Sequence, residues 1–187
     1  MSASDYLEYL GLCNKLKHLK RTGWVLRNVK DPETVASHMY RMAMMTFLLE
    51  DPNLDRVKCL EMSLVHDLAE SIVGDFTPVC DITPEKKHEI EMNAMEKISN
   101  IVGKRGDHLL NLFTEYEDQT TEEAKFVKEL DRLDMILQAF EYEKAENDAG
   151  RLQEFFDSTQ GKFKHPEVVR LVNELNKQRA QKIKGAE

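Results

Sequence analysis

Apolar residues in this chain recur at every third or fourth position almost from end to end and nowhere alternate with polar ones over the length of a strand. A chain with that period can bury its apolar surface only by packing helices against one another. From Ser4 to Lys20, Leu7, Leu10, Cys13 and Leu16 keep the rhythm while the lysines take other faces. A turn-rich stretch broken by Gly23, Asn28 and Pro32 follows. A second helix is expected from Thr34 to Glu50, apolar enough, with Met39, Met42, Phe47 and Leu48, to be buried on most sides. A third is expected from Asp55 to Ser71, with Val57, Leu60, Leu64 and Leu68 on one stripe, ending at a positive-φ Gly74. Thr83-Pro84-Glu85 reads as a hydroxyl cap followed by proline at the first helical position, opening a helix to Gly103. A shorter helix covers Asp107 to Glu117. Thr120 and Glu123 read as a capping box for a helix running to Lys144. After Gly150 come a short segment around Phe155-Phe156 and a last helix from Pro166, whose polar tail should fray. The expected architecture is an all-α bundle of about seven or eight helices.

At 187 residues the chain fits one domain, 1–187, with a single sizeable core. A net charge of −8 argues against a nucleic-acid-binding surface, while leaving room for a local basic pocket. Cys13, Cys59 and Cys80 are widely spaced and odd in number, which suggests neither a disulfide framework nor a cysteine zinc site. No apolar run approaches a membrane span, and MSASDYLEYL lacks the pattern of a signal peptide. A soluble, cytoplasmic protein is expected, with no membrane partner.

Chemistry-bearing residues stand out against this helical background. His38 lies in VASHMYRMAMM, His66-Asp67 in LEMSLVHDLAE and Asp131 in KFVKELDRLDMIL. Imidazole and carboxylate groups are costly to bury without partners. Two of each on converging helices form a mixed nitrogen and oxygen site for a divalent metal. Glu70 follows His66 by one helical turn and shares its face, and Asp75 follows a glycine that can turn the chain back toward the same place. Asp134, three residues after Asp131, reads first as a surface carboxylate and second as a group that supports a metal ligand. His18, His88, His108 and His165 have no ligand spacing and read as surface or cap residues.

The blocks GWVLRNVKDPETVASHMYRMA, LVHDLAESIVGDFTP and EAKFVKELDRLDMILQAFEYE, with GRLQEFFDSTQGKFKHP, resemble the HD-domain metal phosphohydrolases. The resemblance is greatest to the 5'-deoxynucleotidases of that superfamily, in their eukaryotic branch, and covers roughly residues 5 to 175. It implies an HD-domain helical bundle with His38, His66, Asp67 and Asp131 as metal ligands. It also implies catalytic work for Glu70 and Asp75, which with the Phe76 backbone carbonyl correspond to ligands of further cations in some members. Trp24 matches an aromatic residue beside the deoxyribose that disfavours a 2'-hydroxyl. Where bacterial members place an arginine directly before that tryptophan to orient phosphate, this chain has Gly23, leaving Arg21 or Arg27 for the task. Thr77 is a further expected substrate-binding residue.

The reading is therefore a divalent-metal-dependent hydrolase of deoxyribonucleoside 5'-monophosphates. Its ligand set favours Mn²⁺ or Co²⁺, with Fe²⁺ and Zn²⁺ also suited and Mg²⁺ less so. The resemblance implies a homodimer. The alternatives are a dNTP triphosphohydrolase, a cyclic-nucleotide phosphodiesterase, a guanosine-tetraphosphate hydrolase (disfavoured by Ser71 after Glu70), and a non-catalytic HD scaffold that binds a nucleotide or a partner.

Overall fold

The computed structural model describes residues 2–77 and 80–184. Among them the chain is helical with no strand, the one β-type contact being an isolated antiparallel bridge between Lys20 and Thr34. Eight helices exceed one turn: α1 (Ala3–Leu16), α3 (Val35–Met45), α4 (Arg56–Val65), α6 (Pro84–Val102), α7 (Gly106–Asp118), α8 (Glu122–Glu146), α9 (Gln153–Thr159) and α10 (Pro166–Lys184). Two single turns, α2 (Thr22–Val25) and α5 (Glu70–Val73), lie beside the site described below.

The longest helix, α8, organises the bundle. It packs against α3, α4, α7, α9 and α10, and it buries Phe126, Val127, Leu130, Leu133 and Ile136 on its inner face. The buried apolar residues of all these helices join in one core cluster. Burial of large side chains such as Met42, Met62, Met95 and Phe113 supplies roughly 1.5–3 kcal/mol each. Gly106 opens α7 hard against α6: a Cβ there would overlap the Ser99 backbone carbonyl, so only glycine admits this approach.

Several expected boundaries shift. The Thr83 side chain does accept from the Lys86 amide ahead of Pro84. At the start of α8, however, Thr121 is the cap, accepting from Ala124 N–H, so the Thr120–Glu123 box does not form. The second helix stops at Met45 and continues as a 3₁₀ turn, Thr46–Leu48, which leaves Phe47 and Leu48 exposed. The third ends at Val65. The stripe of Val57 and Leu64 faces solvent, and α4 buries Cys59, Met62, Ser63 and Val65 instead. Residues 66–69 form a turn before α5. The break gives His66 and Asp67 a corner rather than a helix face, and α5 then ends at Gly74 with φ of +83°. The last helix persists to Lys184.

Candidate metal centre

His38 comes from the first turn of α3, His66 and Asp67 from the corner after α4, and Asp131 from the middle of α8. These elements pack against one another, which carries four residues distant in sequence to one point. His38 Nε2 lies 3.3 Å from Asp131 Oδ1 and 3.7 Å from Asp67 Oδ2. His66 Nε2 lies 3.2 Å from the same Asp67 oxygen. The imidazole rings are 5.4 Å apart. Both are buried, and both Nε2 atoms lack a hydrogen-bond partner.

The opposite ring nitrogens explain why. His38 Nδ1 is 2.6 Å from Asp134 Oδ2, and His66 Nδ1 is 3.0 Å from the Ser63 carbonyl. Those oxygens only accept, so each Nδ1 carries a hydrogen and each Nε2 is directed at the cluster. This is the way metal-binding imidazoles are held. Two orphaned, buried nitrogens facing two carboxylates fit a divalent cation, with His38, His66, Asp67 and Asp131 as its holders.

Asp134, read from sequence as a surface group, is fully buried. It accepts from His38 and from the Arg41 guanidinium, which also reaches the Asp134 carbonyl and Gln138. Its spacing of one turn from Asp131 was the one sign of this, and the charged helix around it pointed the other way. Tyr116 was missed. Its hydroxyl donates to Asp131 Oδ2 at 2.9 Å and accepts from Lys128 Nζ at 2.9 Å.

The charges of the metal-free cluster support one another. Burial and Arg21 oppose protonation of His38, but the carboxylates of Asp131 and Asp134 beside its two ring nitrogens win and raise it to about 9. Burial pushes Asp131 up, yet His38 and Lys128 hold it well below the ordinary carboxylate range. Asp67 is likewise held low, by His66, His38 and Arg21, against the effect of burial. Glu70 goes the other way: burial first, then Asp67 and Asp75, raise it well above a normal glutamate. Its Oε2 has no partner.

His66, Asp67, Glu70 and Asp131 line a cavity of about 500 Å³, with His38 packed behind them. Arg21 reaches it from the start of α2, its Nη1 3.4 Å from Asp67 and its Nε 4.0 Å from Glu33. Asp75 accepts from the Thr22 amide at 2.6 Å, and its carbonyl accepts from the Thr22 hydroxyl at 2.8 Å. Phe76, Thr77, Lys87 and Glu91 are also on the wall. Trp24 lines it too, but is 1% exposed. Its indole N–H donates to Glu33 at 3.0 Å, and its ring is covered by Tyr142 and Phe155. Arg27 is on the wall as well, tied in a two-bond fork to Glu154 at 2.8 and 2.6 Å. The structure thus brings all the predicted site residues to one cavity or its cluster, and separates the two arginines by their partners.

The comparisons with known proteins agree with this geometry. The HD domain model matches residues 13–169. The human protein named 5'-deoxynucleotidase HDDC2 is 49% identical over 185 residues, covering 98% of this chain and 91% of that protein. The Schizosaccharomyces pombe 5'-deoxynucleotidase hdd1 is 40% identical over 92% of this chain and 89% of its own. Among solved structures, a conserved hypothetical protein from Pyrococcus furiosus superposes with a TM-score of 0.77 at 31% identity, covering 91% of this chain and 99% of that one. The HD domain-containing protein YGK1 superposes at 0.68 with 27% identity, over 96% and 87%. The matched region takes in both imidazoles, both carboxylates and the helices that carry them: the chain belongs to the HD domain family.

Proposed function

We propose that this protein is a divalent-metal-dependent 5'-deoxynucleotidase, hydrolysing deoxyribonucleoside 5'-monophosphates to deoxynucleoside and phosphate. The observation that carries the reading is the pair of buried, unpartnered Nε2 atoms facing Asp67 and Asp131 at the floor of a nucleotide-sized cavity. Relatives bearing the 5'-deoxynucleotidase name match over nearly their whole length. Those names favour a monophosphate substrate over the triphosphohydrolase, phosphodiesterase and scaffold alternatives.

When bound, the cation supplies charge neutralisation and Lewis acidity at the phosphoryl group. Two imidazoles and two carboxylates suit Mn²⁺ or Co²⁺ better than Mg²⁺. The remaining work falls to the chain. Arg21, buried and cationic among Asp67, Asp131, Asp75 and Glu33, pairs with phosphate oxygens. Water attacks phosphorus in line with the 5'-oxygen, the P–O5' bond breaks, and the proton the water sheds replaces the one Glu70 gives up. Glu70, whose carboxyl is held well above the ordinary glutamate range by burial and by Asp67 and Asp75, gives its proton to the departing 5'-oxygen. Asp75, fixed by both bonds to Thr22, orients the sugar and water. The Phe76 carbonyl, with Glu70 and Asp75, is available to a further cation, and Thr77 borders the substrate. Trp24 forms the rigid backing of the wall that disfavours a 2'-hydroxyl. The enzyme is expected to act in the cytoplasm as a homodimer.

The test is phosphate release from dNMPs, NMPs and dNTPs with Mn²⁺, Co²⁺ and Mg²⁺ compared. The expected result is hydrolysis of dNMPs above NMPs and dNTPs, abolished in His66→Ala and Asp67→Ala proteins that keep their helical circular dichroism. Full activity in either variant, or equal rates on dAMP and AMP, overturns the corresponding assignment.

A further inference from the structure

Resting on that reading, we propose that the ring of Phe155 on α9 is the platform on which the nucleobase of the substrate stacks, with the Arg27–Glu154 fork as its rim. Phe155 lines the same cavity as the metal cluster and is partly exposed there, whereas Trp24, the aromatic residue behind it, is fully buried. Their ring centroids are 4.4 Å apart at 39°, so Phe155 is the exposed aromatic surface on the α2–α9 side of the cavity, with Phe76 elsewhere on its wall, and Trp24 is its support. The platform is held from several directions. The Arg27 guanidinium lies over the Phe155 ring, 5.5 Å from its centroid, and is locked to Glu154, the residue preceding Phe155. Arg151 donates to the Arg27 carbonyl at 2.7 Å.

Gly23 belongs to the same device. A Cβ placed on it would lie 3.7 Å from the Phe155 ring. That is ordinary van der Waals contact, so a longer side chain at this position would have to run alongside Phe155. The cationic role is left to Arg21, two residues earlier, beside Asp67.

Aromatic faces hold nucleobases by stacking, which any base can satisfy. The polar groups near this ring are committed elsewhere: Glu154 to Arg27, and the Ser158 hydroxyl to the Phe155 carbonyl at 2.7 Å. The platform therefore grips purines and pyrimidines alike, with purines favoured only by their larger area.

The test uses two ligands, deoxyadenosine and 2-deoxyribose 5-phosphate, which carry the base and the phosphate separately. Calorimetric binding of deoxyadenosine needs neither metal nor turnover. Phe155→Ala is expected to weaken it about tenfold or more, and Phe155→Tyr, which keeps the ring, to retain it. Hydrolysis with Mn²⁺ is expected to lose markedly more on dAMP, through a raised KM, than on 2-deoxyribose 5-phosphate in Phe155→Ala. Equal binding of deoxyadenosine by wild type and Phe155→Ala overturns the platform, as does an equal loss on both substrates. If dNMPs are not hydrolysed but deoxyadenosine binding still depends on the ring, the platform stands and the proposed activity falls.

Discussion

His38 Nδ1 and Asp134 Oδ2 are 2.6 Å apart in the core, between α3 and α8. That contact fixes the imidazole with Nε2 toward Asp67 and Asp131, while Arg41 balances the buried carboxylate. Asp134→Asn keeps an acceptor but removes the charge that makes the ring a better donor of its lone pair. Metal affinity is expected to fall about 10- to 100-fold, with activity recovered at high Mn²⁺. Calorimetric Mn²⁺ titration of the two proteins checks this. Unchanged affinity would mean that Asp134 serves only Arg41.

In the metal-free protein His38 is protonated up to about pH 9, and a cation must displace that proton. The sign follows directly: below about pH 9 the proton competes, so Mn²⁺ affinity rises with pH and levels off above it, and loading releases close to one proton at neutral pH. Titrations in buffers of different ionisation enthalpy measure the release. No release at neutral pH would place His38 outside the ligand set.

Arg21 and Arg27 are both on the cavity wall, but only Arg27 has an exclusive carboxylate partner, Glu154. Arg21→Ala is expected to lower kcat/KM on dAMP by about 100-fold or more, in line with loss of a buried donor at a developing charge. Arg27→Ala is expected to act mainly through KM and by less than about tenfold. Steady-state kinetics of the two variants decide which arginine orients the phosphate.

The contact of Gly106 with Ser99 leads to a prediction about stability alone. Gly106→Ala must push α7 off α6, at a cost of about 1–3 kcal/mol, visible as a lower midpoint in urea with the metal affinity of the folded protein unchanged. An unaltered midpoint would show that the helices can part freely there.

How far the sequence could be read differs between the clustered residues and their supports. His38, His66, Asp67 and Asp131 could be picked out because an unpaired polar group within a packed helix is costly, and the structure brings them together. Asp134 was legible only as a second choice, since a carboxylate in KELDRLD resembles solvated charge until α3 is known to lie against that turn. Periodicity gave the helices but misjudged the face of α4: Val57 and Leu64 fit a continuous helix to Ser71, whereas the chain breaks at Val65 and buries Cys59 and Met62. Thr120 and Thr121 offer the same hydroxyl, and only the three-dimensional path of the turn selects Thr121. Phe155 gave no signal, because its role depends on α9 meeting α2 from far along the chain.

The single turn α2 acts as a spacer of set length. It is pinned at one end by Thr22 to Asp75 and at the other by Arg27 to Glu154, and Arg21 at its start touches Asp67. Loops normally tolerate insertion, but one residue added between Thr22 and Arg27 would turn the helix by about 100° and unseat one of its two anchorages. The number of residues here is therefore as restrictive as their chemistry, and a change of length in this surface segment should cost as much function as the loss of a ligand.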